Sequence, residues 1–297
     1  MKVIMLMPCL MLPNNRKANH AAMEYARQHY PVDEIIVNDA EFQPEDYREG
    51  FKYIGHHKER QGFVKTRNEL LRYFYESDAD YAIWMDANKR VAKSSLNDFV
   101  TLVKALKEGK VDTDLIFSTL GIWLSSERVA AKKMPSYFDK TYLVKFKSGY
   151  DWMHGLIMRN IAKVYDLRLF IDERCDPWKG WPEDIYFTRL LRKLFDYRLA
   201  ATVTIATPTS KSSTWMNKEK GYKYPKVDYA TVNGMVDEAL RVIKFTPREK
   251  DNSTIELTRV PEYKEFLKPY VSRLKKKGEG LLSSLNDGKY LSRKKED

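Results

Sequence analysis

Five polar residues stand where this chain can do chemistry. Asp39 follows the apolar run Glu34–Val37, and Asp86 follows the run Tyr81–Met85. Both runs read as buried strands, and ligands of parallel sheets collect beyond the carboxyl ends of the strands. Asn88 stands two positions after Asp86, so the two side-chain oxygens leave an extended chain on one side, an arrangement that suits a hard divalent cation. Glu183 and Asp184 open a helical stretch, where carboxylates either complement the helix dipole or accept a proton. Each Asp taken singly suits a cap or a turn equally well. Two of them at two strand ends of one sheet point to a ligand site.

The elements that must position these residues alternate from the start. Val3–Met7 reads as a buried strand, Ala18–His29 as a helix ended by Tyr30-Pro31, and Glu34–Val37 and Lys52–Ile54 as further strands. Val64–Glu76 is a helix with Leu70, Leu71 and Phe74 inward, and Tyr81–Met85 is a fourth strand. Leu96–Glu108 (helix) and Asp114–Leu124 (strand) follow, then Glu183–Phe195 (helix) and Arg198–Ile205 (strand). From Asp228 onward the chain reads as mainly helical. Such alternation predicts the α/β class: a mostly parallel sheet with helices on both faces.

Other residues are less specific. His154 is one of five histidines, and a lone histidine is often structural. The His56-His57 pair reads as loop surface. Trp178 and Trp181 lie in the Pro-flanked loop Arg174–Pro182, a poor core element whose rings suit stacking on a sugar or a base.

In order along the chain, several motifs resemble those of the GT-A fold glycosyltransferases, above all the large family 2 of inverting enzymes. Met7-Pro8 and Glu34–Asp39 resemble the family's opening strand and nucleotide-contacting Asp. Gln61–Asn68, with its Arg67-Asn68 pair, resembles the glycine-started helix. Trp84–Asn88 occupies the place of the metal-binding Asp-x-Asp. Phe170–Glu173, followed by Trp181–Asp184 and Arg189, resembles the acceptor segment. The resemblance spans about residues 1–210.

It implies a nucleotide-sugar donor, a UDP-sugar in the main, contacted by Pro8, Asp39, Lys65, Arg67, Asp86 and His154. It also implies Mn²⁺ or Mg²⁺ held by Asp86 and Asn88. Asp184 would be the base that takes the acceptor's proton, with Glu183 as its competitor, and Trp152, Trp178 and Trp181 would contact the acceptor. Residues 1–224 would form the catalytic domain, with a donor half at 1–110 and an acceptor half at 111–224. Residues 225–297 would be a basic helical extension. Three departures stand out: Asn88 in place of a second Asp, Ala40 after Asp39, and no histidine after the strand ending at Ile205.

Composition narrows the acceptor without fixing it. The 297 residues carry 52 Lys+Arg against 41 Asp+Glu, a formal charge of +11, concentrated at Arg128–Lys147 and Lys264–Lys295. Such charge suits a polyanion, an anionic membrane face or plain solubility. The expected acceptor is therefore DNA, at a hydroxylated cytosine as in bacteriophage DNA modification. The alternatives are a lipid-linked or surface glycan, or a catalytically inactive module binding nucleotide or DNA. With 43% hydrophobic residues, wholesale disorder is excluded. Two cysteines provide no disulfide framework. The run Val3–Leu12 is short, contains Pro8 and lacks a small-residue cleavage site, so it reads as a strand rather than an export signal. The expected location is the cytoplasm, that of the host for a phage protein.

Overall fold

Val3–Leu10 is apolar on both faces, as a central strand covered from both sides must be, and forms β1. The computed structural model describes residues 1–13, 15–59, 61–121, 140–144, 153–206, 225–246 and 253–258. After β1 come α1 (Arg16–His29), β2 (Glu34–Ala40), β3 (Lys52–His57), α2 (Phe63–Glu76), β4 (Tyr81–Trp84), β5 (Arg90–Val91) and α3 (Leu96–Lys107). The second half holds β6 (Leu115–Gly121), β7 (Lys140–Val144), β8 (Ile157–Arg159), α4 (Ile161–Tyr165), α5 (Glu183–Leu194), β9 (Tyr197–Ala206), α6 (Tyr229–Val242) and β10 (Ile255–Thr258).

One sheet runs through the molecule in the order β10-β7-β9-β6-β8-β4-β1-β2-β3, with β5 paired to β9. β3, β2, β1 and β4 are mutually parallel, as are β6 and β9. β8 lies between β4 and β6, antiparallel to both. The side chains of β1 alternate between two cores. Val3, Met5 and Met7 meet Met23 and Ala26 of α1 and Phe99 and Val103 of α3. Ile4 and Leu6 face the opposite layer, with Leu70 and Phe74 of α2, Phe187 and Leu191 of α5, and Val232 of α6. The α/β class read from the sequence, with helices on both faces, is the class the chain adopts.

Three differences have physical reasons. β3 continues through His56 and His57, so that pair is strand and not loop surface. The short strands β5, β8 and β10 pair antiparallel with longer partners and are too brief to carry a period of their own. Within 225–297, read as mainly helical, α6 packs on α5 through the second core, and β10 adds a strand beside β7. Trp152, the loop 207–224 and the basic tail lie outside the described residues.

One turn ties this scaffold to the strand ends. The Trp84 carbonyl accepts from the Gly155 amide at 2.7 Å, and Ser118 Oγ donates to the Gly155 carbonyl at 2.9 Å. Gly155 has φ +73°, and a Cβ there would stand 2.5 Å from Ile205 Cγ1 and 2.9 Å from Ser118 Cβ. Gly155→Ala therefore meets both strain and overlap. It is expected to cost about 2–4 kcal/mol of stability, read by denaturant unfolding; a cost below about 1 kcal/mol would refute this account of the turn.

Candidate active site

An arginine occupies a core position of α2. Its inward stripe runs Arg67, Leu70, Leu71 and Phe74, the spacing of one helix face, and Arg67 is only 3% exposed. A guanidinium so placed needs carboxylate partners, because burial alone disfavours its charge. Arg67 Nη1 lies 3.0 Å from Glu183 Oε1, and Nη2 lies 3.6 Å from Asp86 Oδ1. The same group faces the rings of Phe63 and Trp84, each centred 5.9 Å away. Burial works against ionisation, yet Glu183, Asp86 and Asp184 outweigh it and raise the arginine's affinity for its proton.

Asp86 follows β4 by one residue. The Gly155 turn sets His154 beside it, with His154 Nδ1 3.5 Å from Asp86 Oδ2. Burial would raise the Asp86 carboxyl, but His154, Arg67 and Lys89 hold it well below the usual carboxylate range. Lys89 is itself pushed down by burial. Asp86 Oδ1 and Asn88 Oδ1 are both buried and without a hydrogen-bond partner among the described residues. Two orphaned oxygens two positions apart fit a hard cation that takes its remaining ligands from phosphate and water. No group of three or more His, Cys, Asp or Glu suited to a metal occurs among the described residues, so the protein's own share would be small.

Glu183 and Asp184 form the first turn of α5, behind Pro182. Glu183 is buried and committed to Arg67. Among the described residues the Asp184 side chain accepts the amide of Ile185, at 2.9 Å. Burial first, then the charge of Glu183, pushes its carboxyl up to about 6, against the opposing pull of Arg67 and His154.

The other expected contacts are distributed differently. Asp39 is 1% exposed, and its oxygens are occupied: Tyr47 Oη donates at 2.8 Å, the His56 amide at 3.2 Å, and His56 Nδ1 lies 3.1 Å away. His57 Nε2 lies 2.7 Å from Glu69 Oε2. Sequence reading missed both histidines as partners; their place right after a strand, two positions beyond Ile54, was the available clue. Pro8, Arg67, Asp86 and Asn88 line one cavity of about 100 Å³ at the ends of β1 and β4. Lys65 and Trp178 line a second, of about 1220 Å³, and the two share Gln61, Gly62 and Phe63 at the start of α2. Trp181 is half-buried and donates through Nε1 to Asp228 Oδ2 at 3.4 Å. Arg189, expected in the acceptor segment, donates to Asn233 Oδ1 at 2.6 Å on α6.

Fold and site together define an α/β protein with a cavity at the carboxyl ends of its parallel strands, lined by Arg67 and Asp86, with Glu183 paired to the same arginine. No family model matches the chain, and neither does any curated protein. Solved structures resemble it at a distance. Residues 1–349 of S. aureus TarS, in complex with UDP-GlcNAc, align at 14% identity over 83% of this chain and 68% of that one, with a TM-score of 0.49. A longer S. aureus TarS structure gives 14% identity, 83% and 41% coverage and 0.49. HddC from Yersinia pseudotuberculosis gives 11% identity, 75% and 100% coverage and 0.38. At such identities and scores these are distant likenesses of the backbone.

Arg67→Met strips the neutralising charge from two buried carboxylates. The expected loss is about 3–5 kcal/mol of unfolding free energy, part of it recovered in the double variant with Glu183→Gln. A single-variant cost below about 1 kcal/mol in a denaturant double-mutant cycle would show that the cluster does not depend on the arginine.

Proposed function

We propose that the chain transfers a sugar from a nucleotide-sugar, a UDP-sugar by the sequence resemblance, to an acceptor hydroxyl with inversion. One observation carries this reading. A single buried arginine holds Asp86 and Glu183, while the carboxyl of neighbouring Asp184 is raised towards neutrality. Carboxylates in such unlike settings take unlike roles.

In this reading the donor's diphosphate lies in the smaller cavity, against Pro8, Arg67 and Asp86. Asp86 and Asn88 would hold the Mn²⁺ or Mg²⁺ ion, which would neutralise charge developing on the leaving diphosphate. Arg67 adds a fixed positive charge to the same space, and His154 keeps Asp86 ionised. Glu183 has no proton-accepting role, because its charge is spent on Arg67. Asp184 takes the proton of the attacking hydroxyl: its raised pKa makes it a better base than an ordinary carboxylate, while it remains mostly ionised at neutral pH. As that proton leaves, the hydroxyl oxygen forms its bond to the anomeric carbon and the bond to the diphosphate breaks. Asp39, closed off by Tyr47 and His56, shapes the wall beside the nucleotide.

Three outcomes follow. Asp184→Asn should abolish sugar transfer, with UDP binding by calorimetry within about threefold of wild type; loss of both would mean that Asp184 is structural. Transfer should rise with pH through about 6, since Asp184 acts only when ionised. Glu183→Gln removes a charge that raises Asp184 and should move this limb to lower pH; an unmoved limb would exclude Asp184 as the titrating base. Asn88→Asp adds an anionic oxygen, so the Mn²⁺ concentration for half-maximal UDP release should fall about tenfold. No change would place the metal elsewhere.

A further inference from the structure

We infer that the larger cavity is the acceptor groove and that it takes an uncharged oligosaccharide across Trp178, in preference to a nucleic acid. The inference rests on the transfer reading above, since it assigns the second substrate of the same site.

Position and size come first. The cavity of about 1220 Å³ begins at Gln61, Gly62 and Phe63, which it shares with the donor-side cavity, so a chain lying in it has one end beside that cavity. That volume exceeds the roughly 300–1,000 Å³ typical of small-ligand sites and suits several linked sugar rings. Trp178 lines the groove and is 48% exposed. A braced turn presents it: Asp176 Oδ1 accepts the Trp178 amide at 2.9 Å, and the Asp176 carbonyl accepts the Trp181 amide at 3.0 Å. Gly180 closes this turn at φ +80°, where a Cβ would stand 2.6 Å from the Lys226 carbonyl oxygen. An indole held this way offers the apolar face of a sugar ring a large contact area at little entropic cost.

Charge then separates the candidate acceptors. Among the described residues the lining carries four carboxylates, Glu69, Asp172, Glu173 and Asp176, against two basic groups, Lys65 and Arg72. Lys65 is engaged by Gln61 at 2.7 Å, and Asp172 is paired with Arg174 at 2.7 Å. A polyanion gains affinity by exchanging counterions for Lys and Arg, and among the described residues this groove provides no basic surplus for that exchange. Carboxylates are good acceptors for sugar hydroxyls and repel phosphate. Of the sequence's basic concentrations, Arg128–Lys147 and Lys264–Lys295, only residues 140–144 are described, and those five do not line this groove.

The test measures UDP release by the full chain from a panel of UDP-sugars with Mn²⁺. It is run without acceptor, with neutral malto-, cello- and chito-oligosaccharides, with the sulfated form of each, and with duplex DNA carrying 5-hydroxymethylcytosine. Release stimulated by a neutral oligosaccharide, weaker with its sulfated form, and an oligosaccharide KM raised at least tenfold in Trp178→Ala would support the inference. Stimulation by the DNA alone, or a KM within twofold of wild type in Trp178→Ala, would overturn it. Slow UDP release without acceptor that no oligosaccharide accelerates would overturn the inference and leave the transfer reading standing. No release from any donor would overturn both.

Discussion

The cleft depends on one guanidinium. Arg67 comes from α2, Asp86 from the end of β4 and Glu183 from the first turn of α5, so a single buried cation fixes three elements that are far apart in sequence. Its partners explain one another. Two carboxylates facing the same space would repel and protonate without a positive charge between them. A buried arginine without them would be equally unfavourable. The ion pairs therefore act less as a net source of stability than as a device that permits one geometry. Asp184 inherits the consequence. It is buried and lies next to the committed Glu183, and together these outweigh the pull of Arg67 and His154, which is why its proton is held more tightly than an ordinary carboxylate holds one.

Two further layers keep that geometry in place. Asn68, the next residue on α2, binds the Ile171 backbone twice: its Nδ2 donates to the carbonyl at 2.9 Å, and its Oδ1 accepts the amide at 2.8 Å. This pins the helix to the segment leading into the Trp178 turn. On the other side, Gly155 allows the chain to pass close beneath Ser118 and Ile205, and so sets His154 against Asp86. Successive residues of one helix thus hold the two cavities: Arg67 faces the donor side, and Asn68 faces the groove.

Much of this was legible in the sequence. The apolar runs marked β1, β2 and β4, and the polar residues that end them marked the cleft, because parallel strands covered on both sides must be apolar until they emerge. The burial of Arg67 was also visible in principle, since it falls on the same helical stripe as Leu70, Leu71 and Phe74. What pattern alone does not show is which charge compensates which. That Glu183 is spent on Arg67 while Asp184 is not depends on how α5 meets α2, a tertiary fact with no local signature. His56 and His57 were missed for a similar reason: a histidine pair in a half-exposed strand looks like surface until the facing Asp39 and Glu69 are known. The strands β5, β8 and β10 are defined by their partners rather than by their own residues.

The charge balance of the cleft bears on the order of events. Before a donor arrives, Asp86, Glu183 and the mostly ionised Asp184 stand against Arg67 and Lys89, so the site has no positive surplus. Burial lowers the proton affinity of Lys89, so further charge is unfavourable there. A diphosphate entering alone would bring two negative charges into a space whose cations are already engaged. On the proposed reading, a divalent ion carried in with the donor restores the balance, and the orphaned oxygens of Asp86 and Asn88 give it a place to land. On that reading Asn88, neutral where the sequence resemblance implies a second Asp, adds no negative charge to the cleft before the donor arrives.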